Sequence, residues 1–398
     1  MAHFVAYLKK QGWYENSIVA VVGDHGEGLG QHGEETHGIF LYDSTTHVPL
    51  IVKLPNRNGA GKVVDAQVRT TDILPTVLDL LHVSTEAKFD GESLKPYFAG
   101  ADSANRTAFG QTDYPLRFGW APLRSVRADG FKLIQAPRPE LYDLRADPGE
   151  LKNVYQEQDP TATRFRGMLA NIKDATAAAG ASLPDPKDKI EEQNLLHTAM
   201  MTSDDDRPAD ARTALERVLQ LDPKSATALR QLGELELTAK NYAPAADYLK
   251  RAREVRPEDS TAAFYEGQAR EKIGDLPAAR DALEASLKLT PGQLPARVLL
   301  GRVYLGLKDP KAAADQFEAA LLVDSGSVDA QMGAAQAQIA QGSFAEAISQ
   351  LEPLSKSNPD NAEVFASLAQ AYRGAGKNAE AQQAEDRAKS LQGKKPSS

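Results

Sequence analysis

The chain has 398 residues, of which 41% are hydrophobic and 25% are charged, and its formal net charge at pH 7 is −9. This composition is typical of a globular protein and excludes wholesale disorder or a fibre, and at about 150 residues per domain the length predicts two or three domains. The sequence has no run of about 18 apolar residues that could cross a membrane, no basic stripe that would predict nucleic-acid binding, and no cysteine for a disulfide, a zinc ligand or a thiol nucleophile.

The first 150 residues alternate helix-like and strand-like segments. An amphipathic helix is predicted over residues 1–10, and this segment lacks the apolar core of a secretory signal. Two short apolar runs, Ile18–Val22 and Val48–Lys53, have the pattern of strands buried on both faces. A strand-like stretch at residues 63–68 leads into a helix with an early proline over residues 71–81. This order predicts an α/β layer built on a parallel sheet.

The sequence then predicts a change of architecture. Two short alternating runs flank Asp129-Gly130, which is a hairpin signal, so a small antiparallel appendage is expected around this turn. A helix-like stretch over Ala162–Ala179 is followed by a break rich in turn-forming residues. We therefore assign residues 1–155 to a first domain and residues 156–190 to a helical connector.

The remaining residues, 191–392, are rich in alanine and repeat with a period of 34. The positions that share this spacing are Pro223, Pro257, Pro291 and Pro359; Gly233, Gly267 and Gly301; Ala211, Ala245, Ala279, Ala313, Ala347 and Ala381; and the turn positions Lys240, Gly274, Lys308, Gly342 and Gly376. A period of 34 is that of the tetratricopeptide repeat, and the region resembles that family. The resemblance implies an all-α superhelix of five full repeats and one degenerate repeat, followed by a disordered tail at residues 393–398. An unrelated alanine-rich bundle is the alternative.

One repeat allows a prediction for single side chains. Gly301 is expected where the two helices of its repeat meet, with no room for a side chain. Leu300 and Phe317 are expected to be buried in the same repeat, and Lys308 is expected to be exposed in the turn between its helices. The groove of such an array takes a protein or peptide partner in the family that the region resembles.

The residues that could carry chemistry are concentrated in one loop. Four of the seven histidines lie between residues 25 and 47, and the passage VGDHGEGLGQHGEETHG at residues 22–38 follows the first predicted strand. Ligands bind at the carboxyl ends of strands in α/β sheets, and Asp24 with His25 offers the oxygen and nitrogen ligands that suit a divalent cation. The alternative is a polar surface loop whose histidines are merely solvated.

This loop and four later segments resemble the sulfatases and their relatives in the alkaline phosphatase superfamily. The later segments are LYDSTTHVPLIVKLP, TTDILPTVLDLLHV, DGESLKPYFAG and RSVRADGFKLI, the last continuing to PRPELYDLRADPGELKNV. They occur in family order, so the resemblance covers residues 1–155. It implies an alkaline-phosphatase-like sheet and the hydrolysis of sulfate or related phosphate esters.

The resemblance also implies roles for single residues. Asp24 and His25 match the pair that binds the active-site metal, which implies a divalent ion: calcium, manganese or zinc. His37, twelve residues after His25, matches a Lys or His that contacts the sulfate or phosphate. His32 matches a second histidine of the family and is also a catalytic candidate. His47 is expected to support the loop by hydrogen bonding.

The acidic residues of the loop have another expected use. Glu27, Glu34 and Glu35 could be proposed as metal ligands, but charged residues in a loop are mostly exposed. We expect all three side chains to be solvated.

One feature of the family is missing from the sequence. Relatives carry their nucleophile and two acidic metal ligands well ahead of the Asp-His pair, whereas only 23 residues precede Asp24. No residue of the chain lies in a Cys/Ser-x-Pro-x-Arg context. The chain is therefore expected to be the C-terminal part of a longer sulfuric ester hydrolase, to contain no nucleophile, and to be inactive alone.

Three functions and two compartments stay open. The chain could belong to a hydrolase with a repeat module, to a non-catalytic interaction protein with a remnant hydrolase domain, or to a phosphoethanolamine-type transferase whose membrane helices would precede it. An upstream signal or anchor would make the protein periplasmic or exported, and otherwise it would be cytoplasmic.

Overall fold

The computed structural model describes residues 1–101, 104–172 and 182–392, and the chain divides into two compact units, Met1–Asn194 and Leu195–Ser398. The sequence-predicted tail at residues 393–398, and the end of the connector helix predicted as far as Ala179, lie outside the described residues. Within the described part of the chain, no helix is both long enough and apolar enough to span a membrane.

The first unit contains short helices and two small sheets. Its strands are β1 (Val19–Val22), β2 (Leu50–Lys53), β3 (Ala108–Thr112), β4 (Leu123–Ala128), β5 (Phe131–Gln135) and β6 (Glu140–Asp143). Its helices are α1 (Ala2–Lys10), α2 (Asp43–Thr46), α3 (Ile73–Leu80), α4 (Lys95–Ala99) and α5 (Pro160–Ala170), and α6 (Ile190–Asp204) begins at its end.

The prediction of a parallel sheet is wrong for the residues described. Strands β1 and β2 pair antiparallel, with Val19 opposite Lys53 and Val22 opposite Leu50, and residues 63–68 form no strand. Parallel pairing needs a crossover, usually a full helix, whereas the segment between β1 and β2 is a loop with only the single turn α2. The strands are not buried on both faces either, because Ile51 is 64% exposed.

The predicted antiparallel appendage is confirmed as a four-stranded sheet in the order β3-β4-β5-β6. Asp129 and Gly130 connect β4 to β5 with φ angles of 51° and 78°, as a two-residue hairpin turn of type I′ requires. One face of the sheet packs Val126 and Leu133 against Phe165 of α5, which is fully buried.

The other face of this sheet is covered by the segment that follows the histidine-rich loop. Residues 39–42, Ile-Phe-Leu-Tyr, are buried against Leu123, Ile134 and Trp120. The loop is therefore held between two fixed points: β1 before it and this buried segment after it.

The second unit is a run of paired helices, as the repeat period predicts. After α6 they are α7 (Pro208–Leu221), α8 (Ala226–Thr238), α9 (Tyr242–Val255), α10 (Ser260–Lys272), α11 (Leu276–Leu289), α12 (Leu294–Gly306), α13 (Pro310–Val323), α14 (Val328–Ala340), α15 (Phe344–Ser357), α16 (Ala362–Gly374) and α17 (Asn378–Gln392). The six alanines of the 34-residue register are all at most 2% exposed. Small buried residues at these slots let neighbouring helices approach closely.

The turns between paired helices share one backbone conformation. The turn positions that the period identified all have left-handed φ angles, which are 63°, 82°, 63°, 83° and 76° for Lys240, Gly274, Lys308, Gly342 and Gly376. Glycine adopts this conformation without strain, which explains three of the five residues. Lys308 is exposed, as predicted.

The side-chain predictions for the repeat around Gly301 are confirmed. Leu300 is 2% exposed and Phe317 is fully buried. A Cβ atom on Gly301 of α12 would lie 2.6 Å from Cζ of Phe317 on α13, so the two helices meet here without space for a side chain.

Candidate functional site

The loop after β1 is shaped by close approaches of its backbone to neighbouring segments. The amide of Gly26 donates to the carbonyl of Thr45 at 2.8 Å, and that of Gly28 donates to Thr36 at 2.7 Å. A Cβ atom would lie 2.0 Å from the Ser44 carbonyl oxygen at Gly26 and 2.5 Å from that of Thr36 at Gly28. Only glycine fits at these two positions, so the glycines fold the chain back and bring its two histidine-bearing arms together.

Asp24 and His25 lie directly after β1, where the sequence places them. The carboxylate of Asp24 accepts the amide N–H of His25 at 3.0 Å, and its other oxygen lies 3.7 Å from Nε2 of His25. The hydrogen bond from the His25 amide is the largest cause that lowers the pKa of Asp24. An exposed, ionised carboxylate next to an imidazole nitrogen is a donor pair that a divalent cation can share.

His37 joins this pair from the returning arm of the loop. Its ring stacks on that of His25 with 3.8 Å between the centroids and 23° between the planes. The structure thus brings Asp24, His25 and His37 together, although twelve residues separate the two histidines.

Glu27 belongs to the same cluster. Its carboxylate accepts a hydrogen bond from Nδ1 of His37 at 3.1 Å. One ligand atom each from His25, Glu27 and His37 lie within 4.8 Å of one another, and all three residues are exposed. The expectation that Glu27 is only solvated is therefore wrong. The sequence feature that could have indicated its place in the cluster is its position two residues after His25.

Glu34 is also not a solvated surface residue. It is 2% exposed, and its two carboxylate oxygens accept the amides of Ile39 at 2.8 Å and Phe40 at 3.1 Å. Burial raises the pKa of this carboxyl, against the lowering effect of the two amides. Glu34 therefore fixes the backbone where the loop enters the core. This point is Ile39, two residues after His37. Glu35 is exposed, as expected.

The structure does not bring His32 into the cluster of His25 and His37. The ring of His32 stacks on Tyr42, with 3.6 Å between the centroids. Burial is the largest influence and lowers the pKa of His32, against the charge of Glu140. This position is that of a packed histidine.

The imidazole of His47 makes no close hydrogen bond to any residue that the structure describes. Its side chain is 69% exposed, and Nδ1 lies 3.9 Å from Oδ2 of Asp43, which is beyond hydrogen-bond distance. The predicted supporting role of His47 is therefore wrong.

The metal that the sulfatase resemblance implies fits the residues present. The Asp24 carboxylate and the His25 ring nitrogen are accessible and separated by 3.7 Å, so one cation could take an oxygen and a nitrogen from them.

Comparison with known proteins confirms both resemblances. Residues 30–175 match the model of the family "N-sulphoglucosamine sulphohydrolase, C-terminal". Tetratricopeptide-repeat models match residues 204–254, 241–293, 304–371 and 338–392. The chain therefore joins a sulfatase-like C-terminal region to tetratricopeptide repeats.

Two curated relatives illustrate the first resemblance. An N-acetylglucosamine-6-O-sulfatase of Bacteroides thetaiotaomicron is 28% identical over 193 residues, which are 46% of this chain and 34% of the relative. A Delta 4,5-hexuronate-2-O-sulfatase of the same organism is 32% identical over 149 residues, which are 36% of this chain and 31% of the relative. The chain thus spans about a third of the length of these relatives.

A solved structure resembles the repeat region. It is a tetratricopeptide repeat protein from Parabacteroides merdae, with 20% identity and a TM-score of 0.46 over 52% of this chain and 81% of the other.

Proposed function

We propose that the sulfatase-like region contributes an active-site loop to a sulfuric ester hydrolase, and that the repeats bind a protein or peptide. The observation that carries the proposal is the convergence of Asp24, His25 and His37 on one loop in a region with sulfatase relatives at about 30% identity. Phosphate esters are related substrates, because sulfate and phosphate groups present similar tetrahedral oxygens.

Asp24 and His25 are the residues that would hold the divalent cation, whether calcium, manganese or zinc. A cation bound there supplies a positive charge that stabilises the transferred sulfate group. His37 lies against His25, and Nδ1 of its ring is hydrogen-bonded to Glu27. When Nε2 also carries a proton, it can donate a hydrogen bond to an oxygen of the same sulfate. A donor aimed at the oxygen where charge develops lowers the barrier to ester cleavage.

Metal binding tests the first part of the proposal. We expect the purified chain to bind one of Ca²⁺, Mn²⁺ or Zn²⁺ in isothermal titration, and Asp24→Asn and His25→Ala to weaken the binding because each removes a ligand. Asp65→Asn is a matched control, because Asp65 is an exposed carboxylate outside the loop. Equal binding by all the variants would contradict a metal site at Asp24 and His25.

Turnover tests the second part. We expect no measurable hydrolysis of an aryl sulfate by this chain alone. Its 398 residues include no cysteine and no serine in a Cys/Ser-x-Pro-x-Arg context, and losing a covalent nucleophile leaves only a small residual acceleration. Robust turnover that His25→Ala abolishes would show that a nucleophile lies within the chain.

The coding sequence upstream of Met1 provides a further test. A Cys/Ser-x-Pro-x-Arg motif encoded there supports a sulfatase, and a protein that includes it should hydrolyse an aryl sulfate and lose this activity with His37→Ala. Preference for an aryl phosphate over the sulfate in the same assay would move the proposal to phosphate esters. A stop codon between such a motif and Met1 would favour a non-catalytic interaction protein.

A further inference from the structure

The two stacked histidines are each hydrogen-bonded through the same ring nitrogen. Nδ1 of His25 lies 2.8 Å from the carbonyl oxygen of Gly26, and Nδ1 of His37 lies 3.1 Å from Oε1 of Glu27. A carbonyl and an ionised carboxylate only accept hydrogen bonds. In both neutral rings the proton is therefore on Nδ1, and the lone pair is on Nε2.

We propose that Glu27 is a positioning residue that fixes the neutral His37 ring as the Nδ1–H tautomer, which leaves Nε2 as the nitrogen that takes up a proton and donates it in a hydrogen bond to the sulfate. The hydrogen bond made by one ring nitrogen decides which form the other takes. Carboxylates that accept the second N–H of a ligand histidine do this in metal sites and also fix the orientation of the ring. The inference deepens the proposed function, because it says how the ring that faces the cation and sulfate is held.

The surroundings of Glu27 support a local role for its side chain. The side chains of Glu27 and His37 are 43% and 44% exposed, so the core does not hold either of them in place. The two residues lie on opposite arms of the loop, and the backbone joins these arms where the amide of Gly28 donates to the carbonyl of Thr36. The backbone brings the two residues close, and the Glu27 carboxylate orients the imidazole.

Other charged residues of the loop cannot replace Glu27. Glu34 is buried and uses both carboxylate oxygens on the amides of Ile39 and Phe40. The carboxylate of Asp24 lies against the amide of its neighbour His25. Glu35 is exposed and two residues from His37, and it provides a matched control with the same charge.

The tautomer can be measured directly in the full chain. Two-bond ¹H–¹⁵N correlation spectra of histidine-labelled protein separate the Nδ1–H and Nε2–H forms of a neutral ring, and the His37 signals are assigned by their loss in His37→Ala. We record them above pH 8, well above the ordinary histidine pKa of about 6.5. The Nδ1–H form is expected for His37 in the parent and in Glu35→Ala, and a mixture of both forms is expected in Glu27→Ala.

A conservative variant tests whether the partner of His37 must be an acceptor only. Glu27→Gln keeps the length of the side chain, but its amide can accept from Nδ1–H or donate to a bare Nδ1, so we expect a mixture of both His37 forms in this variant too.

The inference is overturned if His37 is in the Nε2–H form in the parent, or if Glu27→Ala leaves its tautomer unchanged. An equal change in Glu35→Ala would also overturn it, because the effect would then be one of charge alone. These results are distinct from failure of the proposed function, which Asp24→Asn and His25→Ala test through metal binding.

Discussion

Lys132 is a buried charged side chain that joins three segments of the first unit. Its side chain is 2% exposed, and its ammonium lies 2.9 Å from Asp43 and 3.0 Å from Glu150. Glu150 also accepts the amide of Asp43 at 2.5 Å. The ion pairs therefore connect β5 to α2 and to the segment after β6, next to the point where the loop enters the core.

The pKa values of the two carboxyl groups reflect this arrangement. Burial is the largest influence on Asp43 and acts to raise its pKa, but Lys132 and Arg127 hold the pKa below its ordinary value. Burial raises the pKa of Glu150, and Lys132 opposes the rise. Removal of the ammonium would leave two buried carboxylates facing each other.

We expect Lys132→Met to lower the free energy of unfolding at pH 7 by about 3–5 kcal/mol, since a buried charge that loses its partner costs that much. In the variant, the folded pKa values of Asp43 and Glu150 would rise above their unfolded values. The folded variant would then bind more protons than the unfolded chain, so its stability should recover as the pH falls from 7 toward 5.

Urea unfolding of the parent and the variant at both pH values measures this prediction. Lys152→Met is the control: Lys152 is exposed, and surface substitutions usually change stability by less than about 0.5 kcal/mol. A Lys132→Met variant as stable as the control, or a loss that does not change with pH, would contradict the role of the ion pairs.

Single residues show which parts of the site the sequence could predict. Asp24 and His25 could be named because residue type and position after a predicted strand are local information, and His37 could be named because of the resemblance to the sulfatases. The roles of Glu27 and Glu34 could not, because a carboxylate in a polar loop has no pattern that separates a solvated side chain from one that binds an imidazole or two buried amides. Those roles depend on how the loop folds back at Gly26 and Gly28.

At the scale of elements, local signals predicted the hairpin, whereas non-local pairing decided the other sheet. Asp129-Gly130 specifies its turn by backbone conformation alone, so β4 and β5 could be placed from the sequence. The run Ile18–Val22 does not encode its partner, and a short apolar run does not distinguish one buried face from two. In the structure β1 meets β2 antiparallel.

The repeats show an element-scale pattern that the sequence does encode. Phe317 of α13 lies against two glycines: a Cβ atom would approach its ring to 2.6 Å at Gly301 and to 2.2 Å at Gly333. The aromatic ring fills the space left by two missing side chains on α12 and α14. A large residue in one helix is thus matched by small residues in its neighbours.

We expect Gly301→Leu to overpack this contact and to lower the free energy of unfolding by about 1–3 kcal/mol. Gly292 provides the control for the same substitution, because a Cβ atom there would meet nothing within 4 Å. Thermal unfolding followed by circular dichroism compares the two variants with the parent. If Gly301→Leu melts no earlier than Gly292→Leu, the contact between α12 and α13 does not limit the size of the side chain.

At the scale of the whole molecule, the two units are stabilised by different kinds of contact. In the first unit, residues 39–42 pack on residues that lie some 80 to 100 positions later in the chain. Its core therefore forms only when segments far apart in the sequence come together. In the second unit, each helix from α7 to α17 packs on its neighbours in this series. The stability of such an array is close to a sum of repeat and nearest-neighbour contributions.

This difference predicts that the repeats fold without the first unit. We expect a fragment of residues 191–398 to be helical by circular dichroism and to unfold cooperatively, because its helices find their packing partners within the fragment. Gly301→Leu should lower the melting temperature of the fragment as it does in the full chain, since the contact with Phe317 lies entirely inside it. Gly292→Leu again serves as the control. A fragment that is mostly unstructured, or one whose spectrum is that of β-sheet, would contradict the nearest-neighbour account of this unit.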